Sequence, residues 1–316
     1  MTFDSNNRKE IKIVIAGLDN AGKTSSLIAL RHKYNFYERV KNLKPTIKVD
    51  YNSFNFLNYY IINLWDMGGQ EKYRTIYINN PVYFNETDYL YFLIDIQDEL
   101  KFQTAVHYLH DILDVYRTMN YQNEVIICFN KYDPKYRANE EFKDRVDMLK
   151  TLILSQNRDM KFKFFKMSIY DISSITKAFS YSLNKLLNLS EINEGLKNIV
   201  KKYNCDYIIL YNKDGLIISD YYQEIMDTKD FDEIIGSKIN EDLEFFQRLL
   251  DEKVNIDEKI DFTKDKTEYV KKIVINTDNG SNSFYLRVSA PPKRISEIKE
   301  EFNDIKGKLT TIFPQK

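Results

Sequence analysis

Cysteine is scarce in this sequence: Cys128 and Cys205 are the only two in 316 residues. They lie far apart and form no C-x-x-C motif, which excludes a thiolate zinc site and favours a reducing compartment. Apolar runs of the roughly 20 residues that span a bilayer are also lacking. The formal net charge of −1 creates no basic field that would attract nucleic acid or anionic lipid. The sequence therefore gives no indication of a thiolate zinc protein, a membrane-spanning protein or a broadly basic nucleic-acid-binding protein.

The N-terminal segment has no apolar signal core, and Thr2 stands where N-myristoylation requires glycine. We therefore expect a cytoplasmic protein without a transmembrane segment and without a nucleic-acid partner, with at most peripheral membrane contact. The length allows two domains, each with its own core.

Glycine is the other scarce residue, and four of the nine glycines fall in two short motifs. The first motif, Gly17–Thr24, fits G-x-x-x-x-G-K-[ST] between an apolar run and a helical pattern. Backbone N–H groups in such a loop, with the helix N-terminus, bind phosphate. The side chain of Lys23 would reach the β- and γ-phosphates, and the Thr24 hydroxyl would bind Mg²⁺. The expected nucleotide-contacting residues here are Asp19, Asn20, Ala21, Gly22, Lys23, Thr24 and Ser25.

The second glycine motif, Asp66-Met67-Gly68-Gly69-Gln70, follows an aromatic-rich strand pattern, the second strand of a predicted hairpin with Asn58 at its turn. Asp66 at the end of this strand suits a Mg²⁺ site, usually through a water molecule. Gly69 can offer an unobstructed N–H to a γ-phosphate, and Gln70 can orient an attacking water. Thr46, about twenty residues after the phosphate loop, could add a hydroxyl to the Mg²⁺ when a third phosphate is present. We predict Thr24, Thr46 and Asp66 as the metal ligands, and Lys23, Thr46 and Gln70 as the catalytic residues.

A third motif, Asn130-Lys131-Tyr132-Asp133, also follows an apolar strand, where open α/β sheets bind ligands. The Asp133 carboxylate can accept both N1–H and N2–H₂ of guanine, whereas adenine would leave it unpaired. Lys131 can cover the base, and Asn130 can connect this loop to the phosphate loop. Ser168, after a later strand, is the expected contact to guanine O6, and Ile169 beside it is expected to contact the nucleotide. The ordered motifs predict a guanine nucleotide.

The secondary-structure pattern changes along the chain. Up to residue 189, strands and helices alternate, which predicts a doubly wound, mostly parallel α/β sheet. From 190 to 316 the predicted order is α-β-β-α-β-β-β-α, a smaller α+β domain with a five-stranded antiparallel sheet. Its predicted hairpin turns are Asn212–Gly215 and a turn that contains Asp278, Asn279 and Gly280. The apolar stripe Ile295–Ile312 is interpreted as a helix face packed on this sheet, with an inter-subunit seam as the alternative.

The first half resembles a Ras-superfamily GTPase. Gly17–Thr24 is similar to the Arf-family phosphate loop, and Asn63–Gln70 resembles both Arf and Rag/Gtr GTPases. Thr46–Asp50 and Ser168–Asp171 look more like Rag/Gtr. The second half resembles the roadblock/longin-type domain of Rag/Gtr proteins. The resemblance implies a P-loop GTPase domain at 1–189 and a dimerisation domain at 190–316, forming a homodimer or a heterodimer.

The implied function is a GTP/GDP switch with Mg²⁺ that hydrolyses GTP slowly. The resemblance also implies regulation by GTPase-activating and exchange proteins, and partner proteins that bind according to the nucleotide state. Two alternatives stay open: a catalytically idle, GTP-bound scaffold subunit of a Rag/Gtr-like dimer, and an Arf-like trafficking GTPase. Lys48, in place of the glycine that follows Pro-Thr-Ile in Arf, and the N-terminal segment depart from the Arf pattern.

Overall fold

The computed structural model describes residues 2–3, 9–31, 36–57, 60–186, 189–223, 228–262, 265–277 and 280–312. The chain divides into two compact units, Met1–Ala178 and Phe179–Lys316. This division falls within a helix, Ile172–Leu186, whereas the sequence pattern predicts a boundary after residue 189. The boundary at 189 stays a prediction.

A mixed sheet forms the centre of the first unit. Its strands are β1 (Thr2–Phe3), β2 (Lys9–Gly17), β3 (Val49–Phe56), β4 (Tyr60–Met67), β5 (Tyr89–Asp95), β6 (Val125–Asn130) and β7 (Phe162–Lys166). The spatial order is β3-β4-β2-β5-β6-β7, and β1 pairs with β2. Pairs β1–β2 and β3–β4 are antiparallel and the others are parallel. Strand β6 is buried throughout, as expected for a parallel strand covered on both faces.

Among the described residues, five α-helices lie between these strands and a sixth follows β7: α1 (Lys23–Arg31), α2 (Phe36–Lys41), α3 (Glu71–Ile78), α4 (Phe102–Thr118), α5 (Glu140–Gln156) and α6 (Ile172–Leu186). Helix α4 buries residues at spacings of three and four, including Phe102, Ala105, Leu109, Ile112 and Tyr116, the pattern of a helix face packed on a sheet. The Asn139 side chain caps α5 by accepting from the Glu141 N–H. Helices α2 and α3 were not predicted from the sequence. The predicted hairpin turn at Asn58 lies outside the described residues.

The second unit contains α7 (Ser190–Tyr203), β8 (Tyr207–Asn212), β9 (Ile217–Tyr222), α8 (Thr228–Asp251), β10 (Glu258–Phe262), β11 (Thr267–Thr277), β12 (Gly280–Ala290) and α9 (Ile295–Ile312). Its strands form an antiparallel sheet in the order β10-β11-β12-β8-β9. The predicted fold class, a doubly wound α/β domain followed by a smaller α+β domain with an antiparallel sheet, is confirmed. The predicted turn residues Asp278 and Asn279 lie outside the described residues.

Helices cover both faces of the second sheet. Val270 packs in a core cluster with residues of α8, including Ile235, Ile239 and Phe246. The neighbouring residue Tyr269 stacks on Phe302 of α9 with ring centroids 5.4 Å apart. Successive strand residues point to opposite faces, so α8 and α9 lie on opposite sides. The apolar stripe of α9 is thus buried within its own unit. Within the described ranges, no helix has the length and hydropathy of a membrane-spanning segment.

A charged network is buried beneath α8. Arg287 on β12 pairs with Asp242 of α8 and, at 3.0 Å, with Glu268 of β11. Lys259 pairs with Asp242 at 3.0 Å, and the Tyr211 hydroxyl donates to Asp242 at 2.9 Å. Desolvation raises the free energy of such buried charges unless they are paired. The network therefore connects α8 to the sheet through interactions that depend on one another.

Candidate functional site

The phosphate loop joins the C-terminal end of β2 to α1 through two glycines that no other residue can replace without strain. Gly17 has φ +140°, and a Cβ there would lie 2.4 Å from the Leu93 carbonyl oxygen. Gly22 has φ +82°, and its Cβ would lie 2.3 Å from the Asn130 amide nitrogen. Both glycines therefore allow the loop to curl tightly between β5 and the loop after β6.

Lys23 is buried in this loop, with only 6% of its surface exposed. Its ammonium donates to the carbonyls of Gly17 and Leu18 at 3.0 and 2.7 Å. Burial lowers the pKa of Lys23 to about 8, while the negative charges of Asp66 and Asp19 oppose this shift. The structure thus holds a desolvated cation inside the loop, where an anion can draw it away from the carbonyl oxygens.

The remaining predicted phosphate-loop residues differ in exposure. Asp19 is exposed and pairs with Lys101 at 3.3 Å. Asn20 is exposed with φ +61°, a left-handed conformation that asparagine tolerates. Ala21 is buried, and Ser25 lies half-buried in α1.

Three oxygen-bearing side chains converge beside Lys23. The hydroxyl oxygens of Thr24 and Thr46 are 2.9 Å apart, and Thr24 donates to Oδ2 of Asp66. Asp66 is fully buried, and its Oδ1 has no hydrogen-bond partner among the described residues. Burial raises the pKa of Asp66, while the Lys23 charge and the Thr24 hydrogen bond oppose the shift. Oxygen ligands and an unpaired buried carboxylate oxygen fit a Mg²⁺ ion.

The second glycine motif lies directly on the phosphate loop. The Gly69 carbonyl accepts a hydrogen bond from the Asp19 N–H at 3.1 Å. A Cβ on Gly69 would lie 2.2 Å from the carbonyl carbon of Leu18, so only glycine allows this approach. Gln70 precedes α3 in an extended conformation and its side chain is half-buried.

The segment that carries Thr46 is tied to the same motif. The Lys48 carbonyl accepts from the Gly68 N–H at 2.7 Å and from the Tyr77 hydroxyl at 2.6 Å. Lys48 has φ +56°, so a lysine adopts the left-handed conformation here. The segment around Thr46 and the one around Gln70 are therefore joined to each other as well as to the phosphate loop.

The third motif lies at the C-terminal end of β6. The Asn130 amide donates to the Ala21 carbonyl at 2.8 Å, and this contact connects the third motif to the phosphate loop. Asp133 is buried and accepts from the Ser168 hydroxyl at 2.6 Å. Lys131 pairs with Asp95 at 2.7 Å, and Ile169 is half-buried beside Ser168. All predicted site residues thus lie along the C-terminal edge of the first sheet.

Two residues of this edge were missed from the sequence. Gln97 donates to Oδ2 of Asp133 at 2.9 Å and to the Lys131 carbonyl at 2.8 Å. Asp95 is the carboxylate that holds Lys131. Both follow or end β5, the strand between the phosphate loop and the third motif. Their position at that strand end was the signal that could have identified them.

Comparison with known proteins identifies relatives of this chain. The sequence model of the Gtr1/RagA G protein conserved region matches residues 12–239. Ras-related GTP-binding protein B from Rattus norvegicus is 24% identical over 195 residues, which is 60% of this chain and 50% of that protein. The chain therefore spans about half the length of this relative.

Arf-like proteins also match. ADP-ribosylation factor-like protein 3 from Caenorhabditis elegans is 32% identical over 140 residues, 44% of this chain and 71% of that protein. Among solved structures, the small GTPase Arl6 from Trypanosoma brucei, with the bound nucleotide analogue GppNp, matches with a TM-score of 0.45 and 18% identity. That match covers 56% of this chain and 97% of the other.

Proposed function

The chain belongs to the Gtr1/RagA G protein family, among the Arf/Rag-type GTPases of the Ras superfamily, and from this premise we propose that it is a GTP/GDP switch that hydrolyses GTP slowly. The observation that carries the proposal is the buried Oδ1 of Asp66, which has no hydrogen-bond partner among the described residues. The other oxygen of this carboxylate accepts a hydrogen bond from the Thr24 hydroxyl. A carboxylate oxygen buried in this way is costly unless a cation pairs with it.

The phosphate end of the nucleotide would be held by the loop Asp19–Ser25 and by Lys23, while the Asp19 N–H itself stays on the Gly69 carbonyl. Binding would exchange the two carbonyl contacts of the Lys23 ammonium for phosphate oxygens, which are stronger acceptors because they are charged. Thr24, Thr46 and Asp66 would hold Mg²⁺, directly or through water. The bound ion would neutralise charge on the β- and γ-phosphates.

Guanine would lie beside the third motif. Asp133 would accept from N1–H and N2–H₂ of the base after exchanging contacts that it now makes with Ser168 and Gln97. Lys131 would cover the base with its methylene groups, and Ser168 with Ile169 would face O6. The bond from Asn130 to Ala21 would keep the base site and the phosphate site at a constant separation.

Hydrolysis would add one water to the γ-phosphorus while the bond to the β–γ bridging oxygen breaks, giving GDP, inorganic phosphate and a proton. Gln70 would orient the water, Lys23 would stabilise charge on the phosphates, and Thr46 and Gly69 would hold their segments against the γ-phosphate. Loss of that phosphate would release both segments, which are joined through Lys48 and Gly68. An arginine from an activating protein typically raises such rates by roughly 10³–10⁵.

The second unit would serve dimerisation, with itself or with a related chain. Strand β10 lies at the edge of its sheet, and it exposes 75% of Phe262 and 37% of Ile260. An exposed apolar edge strand is a surface that proteins usually cover. Light scattering of the purified chain with GDP and with a non-hydrolysable GTP analogue would measure the assembly. Exchange and activating proteins as partners, and the cytoplasm as compartment, stay predictions.

The test of the proposed function is single-turnover hydrolysis of GTP with and without Mg²⁺, alone and with cell extract. We expect slow, Mg²⁺-dependent phosphate release that the extract accelerates. Gln70→Leu should reduce the accelerated rate and leave GTP binding unchanged, whereas Thr24→Asn should weaken GTP binding. GTP binding without hydrolysis under every condition would instead support an idle, nucleotide-bound scaffold subunit.

A further inference from the structure

Arg74 lies on α3, one turn after Gln70, and its side chain turns back toward the phosphate loop. Its Nε donates to the Gly69 carbonyl at 3.1 Å. The Asp19 N–H donates to the same oxygen, also at 3.1 Å. Since both bonds end on one atom, Arg74 Nε and the Asp19 amide nitrogen are no more than about 6 Å apart.

The packing around Arg74 fixes this orientation. Its guanidinium carbon lies 5.1 Å from the ring centroid of Tyr108, within the range of a cation–π contact. Tyr108 is 2% exposed and belongs to the buried face of α4. Among the described residues, no carboxylate pairs with Arg74. Its hydrogen bond with the Gly69 carbonyl is therefore its principal polar contact within the described part of the protein.

The carbonyl that Arg74 holds belongs to the peptide that joins Gly69 to Gln70. It accepts hydrogen bonds from the Asp19 N–H in the phosphate loop and from the Arg74 guanidinium. The helix also depends on this junction, because the Gln70 carbonyl accepts from the N–H groups of Tyr73 and Arg74 at 2.9 and 3.1 Å. The orientation of this peptide sets the starting direction of the Gln70 side chain.

We propose that Arg74 is a positioning residue for GTP hydrolysis, which acts through Gln70 by fixing the Gly69–Gln70 peptide on the phosphate loop. The inference rests on the proposed function, and it gives the chain an internal arginine with a role distinct from an arginine supplied by a partner. A hydrogen bond from a charged donor typically contributes enough to change a rate by about tenfold. GTP and GDP binding should change much less than hydrolysis, since Arg74 makes no hydrogen bond with Lys23 and acts on that phosphate-binding residue only through its charge.

The test is a double-mutant cycle on the 316-residue chain. Single-turnover GTP hydrolysis without any activating protein is measured for the wild type, Arg74→Met, Gln70→Leu and the double variant, together with GTP and GDP dissociation constants. Lys72→Met, an exposed cation on the same helix, is the matched control. Arg74→Lys tests the polar contact separately, because lysine retains a donor that can approach the Gly69 carbonyl.

We expect Arg74→Met to slow hydrolysis by about tenfold with dissociation constants within about threefold of wild type. Arg74→Lys should be less impaired, and Lys72→Met should be unchanged. In the Gln70→Leu background, Arg74→Met should have no further effect, because both substitutions remove the same function. Thermal unfolding of each variant shows that the fold is retained.

Multiplicative effects in the double variant would overturn the proposal, since Arg74 would then act independently of Gln70. An unchanged rate in Arg74→Met would overturn it as well. Failure of the proposed function is distinguishable from both results, because in that case the wild-type chain itself would not bind or hydrolyse GTP.

Discussion

Gly69→Ala tests the contact between the second glycine motif and the phosphate loop. The added Cβ would lie 2.2 Å from the Leu18 carbonyl carbon and 2.3 Å from the Asp19 nitrogen. Both atoms belong to the backbone, so rotation of a side chain cannot relieve the overlap. The two segments must separate by roughly 1 Å to reach ordinary van der Waals distance, and the bond from Asp19 to the Gly69 carbonyl is weakened or lost.

The expected effect is specific to the triphosphate. Gln70 is adjacent to Gly69 and moves together with it. Displacing a catalytic group by about 1 Å can cost about 100-fold in rate. Loss of the backbone hydrogen bond should also lower the free energy of unfolding by about 1 kcal/mol. GDP affinity should stay within about threefold of wild type, since Gly69 is expected to contact only a third phosphate. Single-turnover hydrolysis and nucleotide titration measure the two quantities.

Gly307→Ala is the matched control for this substitution. Gly307 lies in α9, and a Cβ built there would meet no described atom within 4 Å beyond the neighbouring backbone of its own helix. Alanine in a helix interior is favoured over glycine by about 1 kcal/mol, so this variant should be slightly more stable with unchanged hydrolysis. A Gly69→Ala variant that hydrolyses GTP at the wild-type rate would refute the reasoning.

Three further substitutions test the other parts of the account. Asp133→Asn should weaken GTP binding at least ~100-fold in displacement assays, because an amide offers a donor where guanine needs an acceptor. The same variant should favour xanthosine triphosphate. Unchanged GTP affinity would show that Asp133 takes no part in base recognition. Asn130→Ala should weaken GTP and GDP by a similar factor of about ten, because the bond to Ala21 is independent of the third phosphate; a selective loss of GTP would contradict this. Asp242→Ala should lower the free energy of unfolding of the second unit by about 3–5 kcal/mol in chemical denaturation, since Arg287 loses a buried partner. A loss below ~1 kcal/mol would show that the buried charged network is not coupled.

The parts of the site that could be predicted from sequence are those set by residues adjacent in the chain. The glycine spacing around Lys23 predicts a loop with special φ angles, and Gly17 and Gly22 adopt them. Asp66 lies at the end of β4 and Asp133 follows β6, and the carboxyl ends of parallel strands meet at one sheet edge. Local pattern and general topology therefore suffice for these residues.

Contacts that depend on distant segments could not be predicted in this way. Gln97 reaches Asp133 across 36 positions of the chain, and glutamine after a strand is ordinary. Helix α3 is short and buries a single residue, Tyr77, so its hydrophobic periodicity is weak. The orientation of Arg74 is set by Tyr108 on another helix. Such features are decided by packing and leave little trace in local sequence.

In the second unit too, local sequence patterns could be predicted and contacts between distant segments could not. Asn212–Gly215 predicted a hairpin because its turn needs a left-handed residue, and Gly215 has φ +68°. The charged residues of β11 and β12 gave no indication that they would be buried. Arg287 is 2% exposed because Asp242 and Glu268 meet it from other elements. Alternation alone would place such an arginine toward solvent.

The most direct test of the central claim is competition for the nucleotide site. The protein is stripped of any nucleotide and loaded with a fluorescent GTP analogue in Mg²⁺, and unlabelled GTP, GDP and ATP are titrated against it. The account predicts that GTP and GDP displace the analogue at concentrations at least about 10³-fold lower than ATP. Displacement by ATP at the same concentrations as GTP, or no binding of the analogue, would contradict it.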